Sequence, residues 1–241
     1  MSMTWILIVS AAGCIFGSGT RGVLALSCLL QLGYLAQRGF SLGRLPLLGP
    51  HDTLVFFAAC LAVTAACVSQ SAAVRHHRWF RVVSGFLAGF TVLFALFFPP
   101  LMMPLPRILD TLWFELHVVL AFLAYALFAV GALLGGAFLV SPQSGIMDLQ
   151  YKTALTGWTF FSGSMIAGGI WGYYAWGTYW LWTPKELWTS VLWLFYAVVL
   201  HIRLKGAAGN RWAARLSIAG AFIMLFTYLG VSMLMKSSHS F

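Results

Sequence analysis

Charge is what this sequence has least of. Only 8% of its 241 residues are charged, whereas 61% are hydrophobic. A soluble globular domain carries about 25% charged residues, so this composition excludes a water-soluble fold. Apolar runs long enough to cross a membrane recur along the whole chain, and one spanning helix needs about 20 predominantly apolar residues. The sequence therefore predicts an all-α fold, a polytopic transmembrane helical bundle.

Cysteine is scarce, and its positions exclude a disulfide framework. The four cysteines all fall inside predicted helices, at Cys14, Cys28, Cys60 and Cys67. No CxxC pair occurs, so a dithiol redox site is excluded as well. Cys60 and Cys67 share one helix face and are interpreted as packing thiols. The glycine-rich stretch at 163–169 lacks the strand and soluble loop of a phosphate cradle and is interpreted as close helix packing.

The predicted helices follow one another without internal repeats, low-complexity linkers or long extramembrane stretches, so residues 1–241 are expected to form a single domain. The chain start has neither a basic segment nor a small-residue cleavage site and is not expected to be a removed signal peptide. About eight helices are predicted, at residues 4–17, 22–37, 53–69, 80–98, 117–140, 153–173, 187–203 and 215–235. The first is short, and the first two could instead form one broken or re-entrant hairpin.

The distribution of basic residues predicts the orientation in the membrane. With both termini outside, the inner loops hold nine of the 14 basic residues, namely Arg21, Arg75, Arg78, Arg81, Lys152, Arg203, Lys205, Arg211 and Arg215. Cytoplasmic loops carry an excess of Lys and Arg. Both termini and the loop at 174–188 are therefore expected on the periplasmic side of a bacterial inner membrane. Topology and anionic lipid explain the net charge of +9, so no nucleic-acid partner is predicted.

Tryptophan is concentrated in one predicted outer loop. Four of the 11 tryptophans fall in the segment WGTYWLWTPKELW at 176–188, and Trp171 lies shortly before it. The alternative, an interfacial aromatic belt, would spread tryptophans over many helix ends. Indoles clustered in one loop instead favour contact with something large, flat and apolar.

The six histidines differ in their predicted surroundings. His76 and His77 lie in the inner RHHRW loop, where contact with solvent or lipid headgroups is expected. His51 is interpreted as a loop residue beside Asp52, a candidate helix N-cap. The sequence nevertheless leaves His51 open as a substitute outer metal ligand.

His117 and His239 are predicted at one depth, on either side of the tryptophan-rich loop. His117 opens the fifth predicted helix at its outer end, because the rise to Val140 is about 36 Å and uses the whole bilayer. A neutral imidazole is a good iron ligand and is rare at membrane depth, so this pair is predicted to ligate iron. His201 lies about 22 Å deeper than the loop. It either snorkels beside Arg203 or ligates a second, inner haem.

Residues 115–241 resemble the haem-handling core of the CcsA (ResC) family of System II cytochrome c biogenesis. That family carries a tryptophan-rich WWD signature, WGxYWxWDPKE, matched here by Trp176, Gly177, Tyr179, Trp180, Trp182, Pro184, Lys185 and Glu186. The likeness continues through MDLQY at 147–151, YAVVLHIR at 196–203 and YLGVSMLMKSSHS at 228–240. The first half follows the family in outline, through RLPLLGPHDTLVFF at 44–57.

The resemblance implies a site for haem b. In that family one outer histidine before the signature and one after it ligate the iron, and these map onto His117 and His239. The position of His201 belongs to an inner haem site whose co-ligand comes from a CcsB (ResB) partner. Porphyrin contacts are expected from Trp171, Trp176, Gly177, Tyr179, Trp180, Trp182, Pro184, Lys185, Glu186 and Trp188.

The implied activity is transport of haem to the outer face and its presentation for thioether attachment to the CxxCH segment of apocytochrome c. The chain would be a component of a holocytochrome c synthase, together with a CcsB/ResB-like partner. No nucleophilic side chain is needed, because such a protein contributes proximity and orientation. Haem offers a flat apolar ring, axial iron positions and two carboxylates, which suit indoles, imidazoles and Lys185.

Thr183 departs from the signature, which has Asp at this position. The change removes a negative charge beside Lys185, and it leaves open whether the protein attaches haem or only binds it. The alternative function is therefore a haem-binding membrane subunit or regulator, HemX-like or electron-transferring, without attachment activity. A solute transporter predicts paired half-helices and polar residues at mid-depth, and the sequence shows neither.

Overall fold

The computed structural model describes residues 4–102 and 106–234. Every regular element within these ranges is helical, which confirms the predicted all-α fold. Contacts between Cα atoms separate the chain into two units, Met1–Leu105 and Pro106–Phe241. The assignment of residues 1–241 to a single domain stays a prediction.

The described part of the first unit forms four helices. They are α1 (Thr4–Ala12, continued by a π-helical turn at Gly13–Gly17), α2 (Arg21–Leu42), α3 (Gly49–Val68) and α4 (Arg78–Ala95). Gly43 ends α2 at φ 65°, a left-handed conformation that glycine adopts readily. Gly85 lets α4 approach the π turn closely, because a Cβ there would lie 2.7 Å from Cys14 O.

A buried ion pair ties α2 to α3. Arg38 donates from Nε to Asp52 Oδ1 at 2.5 Å, and the two side chains are 9% and 1% exposed. Arg38 Nη2 also donates to Leu101 O at 2.7 Å. The guanidinium therefore holds the segment after α4 as well as the first turn of α3.

A buried histidine lies beside this pair, and both of its ring nitrogens have partners. His51 Nε2 is 2.8 Å from Tyr34 Oη. His51 Nδ1 is 3.1 Å from the carbonyl oxygens of Ala95 and Phe98. This arrangement matches an Nδ1–H tautomer that donates to the carbonyls and accepts from the tyrosine.

The interpretation of His51 as a loop residue and of Asp52 as an N-cap is wrong. α3 begins at Gly49 with Pro50 in its first turn, and both side chains lie inside the helix and are buried. Proline is well suited to the first turn, because an N–H there has no intrahelical partner. The helix therefore starts four residues before the predicted position, residue 53.

The cysteines are all free, as the sequence predicts. Cys14, Cys28 and Cys60 are buried, whereas Cys67 is exposed near the end of α3. The packing interpretation therefore holds for Cys60 and is wrong for Cys67.

The second unit is built on two long helices. Its described elements are a 3₁₀ turn (Arg107–Leu109), α5 (Leu112–Val140), α6 (Ser144–Trp176), α7 (Pro184–Arg203), α8 (Ala207–Leu225), a π-helical turn (Phe226–Gly230) and α9 (Val231–Leu234). In the core, Phe128 of α5 stacks on Tyr196 of α7 with ring centroids 3.6 Å apart. Gly220 makes room for that tyrosine, since a Cβ there would lie 2.9 Å from the ring. The core thus joins α5, α7 and α8.

Five of the described helices are long and apolar enough to cross a membrane, and the chain is a multi-pass membrane protein. These segments are Gly49–Val68, Arg78–Ala95, Leu112–Val140, Pro184–Arg203 and Ala207–Gly230. Thr4–Gly17 is apolar but shorter than a full span. Its helix and α2 contact each other through Gln31 Nε2, which donates to Ser10 Oγ at 2.9 Å.

All four predicted starts in the second unit are too late, three of them by five residues or more. α5 begins at Leu112, α6 at Ser144 and α8 at Ala207, rather than at residues 117, 153 and 215. For α5 the reason is local, because the Thr111 side chain accepts from Phe114 N and caps the helix. Apolar runs mark the part of a helix that suits the bilayer, and the polar turns before it continue the same helix. His117 therefore lies in the second turn of α5 and does not open it.

Candidate functional site

The tryptophan-rich segment is a short loop between two capped helix ends. α6 ends at Trp176, and Gly177 at φ 75° donates its N–H to Tyr173 O at 2.8 Å. α7 begins at Pro184. Residues 177–183 therefore form a loop with its ends fixed on α6 and α7. We call this stretch the signature loop.

Thr183 forms the cap that starts α7. Its Oγ1 accepts from Glu186 N at 3.4 Å, and Glu186 Oε2 accepts from Thr183 N at 2.9 Å. This reciprocal pair is a capping box, which satisfies two amides that have no partner within the helix. Thr and Asp both serve as N-caps. Thr183 therefore keeps the helix start that an aspartate would give, while the negative charge is absent.

The aromatic side chains of the site divide into exposed and buried sets. Trp182 is 71% exposed and Tyr179 is 60% exposed, whereas Trp171 is 3% exposed. Tyr179 stacks on Tyr173 at 4.7 Å between ring centroids, which fixes the first half of the signature loop. Trp188 contacts Phe226 at 4.6 Å and connects α7 to the π turn after α8. Trp182 and Tyr179 therefore offer the free aromatic surface.

Trp171 lies beneath the site and organises its neighbours. Its Nε1 donates to Ile108 O at 2.7 Å. Its ring lies 4.8 Å from the ring of Trp176 and 5.3 Å from that of Phe114. The His117 imidazole lies parallel to it, with 18° between the planes and 6.4 Å between centroids. A direct contact between Trp171 and a porphyrin stays a prediction, since the indole is buried under the imidazole.

His117 is held by α6 through one ring nitrogen. Its Nδ1 lies 2.9 Å from Ser164 O, and Ser164 Oγ donates to His117 O at 2.8 Å. A carbonyl can only accept, so Nδ1 carries the proton and Nε2 keeps its lone pair. No group in residues 4–102 or 106–234 hydrogen-bonds Nε2. His117 is partly exposed. Of its two ring nitrogens, Nε2 is therefore the one that can act as a ligand.

Gly168 makes the position of His117 possible. A Cβ built on Gly168 would lie 2.6 Å from His117 Nδ1, too close for any side chain. The glycine therefore lets the imidazole lie directly against α6. Its stretch, 163–169, was expected to serve close helix packing, and here the close neighbour is a ring rather than another backbone.

A comparison with protein families decides what this chain is related to. The model of the family described as cytochrome C assembly protein matches residues 48–239. The chain belongs to the cytochrome c assembly protein family. The match includes every helix from α3 onward, the signature loop and His117.

Comparison with individual proteins assigns this chain to the same family. The chain is 30% identical to the cytochrome c biogenesis protein CcsA of Chlamydomonas reinhardtii, over 92% of this chain and 67% of the relative. It is 28% identical to the CcsA of Mesostigma viride, over 92% and 85%. It is 27% identical to the CcsA of Synechococcus sp. (strain CC9902), over 92% and 86%. The resemblance to the CcsA family is confirmed.

Of the other predicted ligands, His201 lies apart from His117. His201 is exposed in the last turn of α7, where its Nδ1 lies 2.7 Å from Ala197 O. Nearby, Arg203 pairs with Asp148 at 2.6 Å. His239 lies outside the described residues, so its pairing with His117 stays a prediction. Glu186 and His201 occupy the two ends of α7, so one iron cannot reach both the loop and His201.

The donor set suits an iron that already has a macrocycle. The described ranges contain no group of three or more His, Cys, Asp or Glu side chains that could hold a bare metal ion. Haem iron needs only one or two axial donors from the protein. A single open imidazole nitrogen beside exposed aromatic rings fits that requirement.

The sequence did not indicate the residues that hold this site in place. Ser164 and Gly168 position His117, and Phe114 and Ile108 O hold Trp171. Only the glycine-rich stretch gave a signal in the sequence. The other contacts form only in the tertiary structure, and no sequence motif indicates them.

Proposed function

We propose that this protein acts in cytochrome c assembly, as a membrane protein that binds haem b and presents it at the outer face. The observation that carries the proposal is His117, whose Nδ1 is fixed by Ser164 O. The imidazole lies against Gly168, and the next residue, Gly169, faces the Tyr179 carbonyl of the signature loop. A metal-ligating histidine typically donates its other ring N–H to a carbonyl or carboxylate, which fixes both the tautomer and the ring orientation. His117 already has that arrangement.

The exposed rings of the signature loop supply the apolar surface. Trp182 and Tyr179 expose most of their area, and aromatic faces pack well against a flat macrocycle. Lys185 follows Pro184 in the first turn of α7, where an ammonium could pair with a propionate. Trp176, Gly177, Trp180, Pro184, Glu186 and Trp188 complete the proposed binding set.

Two further histidines complete the proposal. His239 supplies the second outer axial donor. His201 ligates haem at the inner side, and a CcsB/ResB-like partner supplies the opposite donor. The exposed position of His201 supports this, because a side chain from a second protein can reach it. The signature loop then faces the periplasm of a bacterial inner membrane.

The chemistry comes from haem and the apocytochrome, and this chain contributes position. When bound, haem supplies two vinyl groups, and each cysteine S–H of CxxCH adds across one vinyl C=C to form a thioether without an external oxidant. His117 and Trp171 fix the depth at which the ring is held. The signature loop fixes its orientation and shields one face from water. Holding two reactants close together in the correct orientation can supply a large part of a rate enhancement.

The decisive experiment is removal of the open imidazole. We expect His117→Ala to lose outer haem from the purified protein, measured by absorption spectroscopy, and to regain part of it with added imidazole. His76→Ala, an exposed histidine on the α3–α4 connection, is the matched control and should keep wild-type haem content. Unchanged haem in the His117 variant would end the proposal.

A second function is favoured by one residue. Thr183 keeps the helix cap but lacks the acidic charge of the signature, so a haem-binding subunit or regulator without attachment activity is the alternative. Co-expression with and without a CcsB-like partner and a CxxCH reporter separates the two. Covalent haem on the reporter supports the synthase component. A haem spectrum without covalent product, in both cases, supports the alternative.

A further inference from the structure

The backbone of Trp182 has an unusual conformation. In the described part of the chain it is the only residue other than glycine with a positive φ, at 57°. This left-handed region is unfavourable for a bulky side chain and persists only where surrounding contacts impose it. The Trp182 indole is 71% exposed, so burial of the side chain does not impose it.

The contacts that impose it come from Glu186. One oxygen, Oε2, accepts from Leu181 N at 2.9 Å and from Thr183 N at 2.9 Å. These are the two amides on either side of Trp182. Amides that converge around a left-handed residue form a concave anion site, and here the chain fills it with its own carboxylate. Hydrogen bonds to an ionised acceptor are stronger than neutral ones.

Helix capping alone does not account for this geometry. A capping box needs the bond between the Glu186 side chain and Thr183 N, which is present. The additional bond to Leu181 N reaches across Trp182 and contributes nothing to α7. The first half of the signature loop is held separately, by the Tyr173–Tyr179 stack and by Thr178 Oγ1, which donates to Trp180 O at 3.2 Å. Glu186 therefore acts on the second half, at Trp182.

We propose that Glu186 is a positioning residue that holds Trp182 in the left-handed conformation, so that its indole projects from the loop as a platform for the porphyrin face. Glycine would adopt this backbone without strain. A strained tryptophan whose side chain is mostly exposed is explained if the projecting ring binds a ligand. The assignment of the porphyrin as the ligand rests on the proposed function, whereas the Glu186–Trp182 coupling is a property of the haem-free protein.

The coupling is tested by a double-mutant cycle on the haem-free protein in detergent. We expect Glu186→Ala to lower the Tm clearly, and Trp182→Gly to leave the Tm unchanged or raise it because the strain is relieved. In the Trp182→Gly background, Glu186→Ala should lower the Tm less than half as much. Thr183→Ala removes the other half of the capping box and keeps the bond to Leu181 N, so its effect should be equal in both backgrounds.

The position of the indole is read directly by ¹⁹F NMR with 5-fluorotryptophan. The residue 182 signal is assigned by its loss in Trp182→Phe. We expect this signal to shift or broaden in Glu186→Ala, to move less in Glu186→Gln, which keeps one acceptor oxygen, and to stay in place in Thr183→Ala. An unshifted signal in Glu186→Ala, with equal Tm losses in both backgrounds, would overturn the inference.

Haem titration separates the inference from the proposed function. We expect Trp182→Ala and Glu186→Ala to weaken haem binding about tenfold, and His117→Ala to abolish it. Full affinity in Trp182→Ala, with loss in His117→Ala, would refute the platform role and leave the proposed function intact. Full affinity in His117→Ala would refute the proposed function, while the measurements on the haem-free protein would still decide the coupling.

Discussion

His51 and His117 are both histidines near a helix start, yet the structure uses them in opposite ways. His51 is 4% exposed, and both ring nitrogens have partners within the first unit. His117 is partly exposed, and among the residues that the structure describes its ring nitrogens bond only Ser164, through Nδ1. The difference shows that the number of engaged nitrogens, rather than burial alone, separates a structural histidine from one available to a ligand.

The groups that surround the two histidines differ in the same way as the histidines themselves. Around His51 the polar side chains of Tyr34, Arg38 and Asp52 have close partners, including the ion pair between the last two. Around His117 the neighbours are aromatic rings and a glycine that leaves space. The polar groups around His51 use their hydrogen bonds to hold helices together. The residues around His117 hold its imidazole through Nδ1 and, within the described residues, leave Nε2 without a hydrogen-bond partner. His51 is thus disfavoured as a substitute outer ligand.

The largest expected effect is on the structural cluster. Arg38→Ala leaves the buried Asp52 carboxylate without its charge partner, and removing one member of a buried pair costs about 3–5 kcal/mol of folding free energy. We expect a strong loss of stability, measured by thermal unfolding in detergent. Haem bound per folded molecule should stay at the wild-type level. Arg211→Ala, on an exposed part of α8, is the control and should change little. Loss of haem from folded Arg38→Ala protein would contradict a purely structural role for the Arg38–Asp52 pair.

A second prediction concerns the space beside His117. Gly168→Ala places a methyl group where only 2.6 Å separates it from Nδ1, so the imidazole must move. We expect haem binding to weaken about tenfold, because the proposed axial donor, His117, shifts relative to the loop.

The matched control for that change is Gly136→Ala in α5, where a Cβ meets no atom within 4 Å. Alanine favours a helix over glycine by about 1 kcal/mol, so this variant should be slightly more stable with full haem affinity. Equal affinity in the two variants would show that His117 does not need its close contact with α6.

The sequence predicted some features of these regions and not others. The role of His117 as a ligand stays a prediction, whereas the helical fold and the position of the signature loop were correctly predicted, because apolar length and tryptophan clustering are local features. The bonds of His51, the contact of Gly168 with an imidazole and the left-handed backbone of Trp182 were not. The first two depend on groups brought together by tertiary structure, which sequence patterns do not indicate. The third depends on Glu186 nearby in the chain, whose second bond, to Leu181 N, goes beyond the capping-box pattern that the sequence shows. His239 lies outside the described residues, so its role stays a prediction.

A third prediction concerns the cap at Thr183. Thr183→Ala removes the acceptor for Glu186 N, and loss of an N-cap costs about 0.5–2 kcal/mol. Thr183→Asp keeps an acceptor and adds the charge of the signature, so its stability should match or exceed the wild type. Thr159→Ala, inside α6, is the control and should be close to neutral. A Thr183→Asp variant as unstable as Thr183→Ala would show that capping does not explain this position. Covalent attachment gained only by Thr183→Asp would favour the haem-binding alternative for the natural protein.

The smallest expected effect is at Ser164, and it tests which part of that residue holds His117. The imidazole bonds the backbone carbonyl of Ser164, whereas the hydroxyl donates to the carbonyl of His117. Ser164→Ala removes the bond from the hydroxyl to His117 O and its contact with Nδ1, and keeps the backbone carbonyl. We therefore expect about 1 kcal/mol of lost stability and a haem affinity within about threefold of wild type. Thermal unfolding and haem titration measure the two quantities. A loss of affinity as large as that of Gly168→Ala would mean that the hydroxyl, which also lies 3.1 Å from Nδ1, sets the tautomer of His117. The open nitrogen would then depend on a side chain that evolution can change, rather than on the backbone of α6.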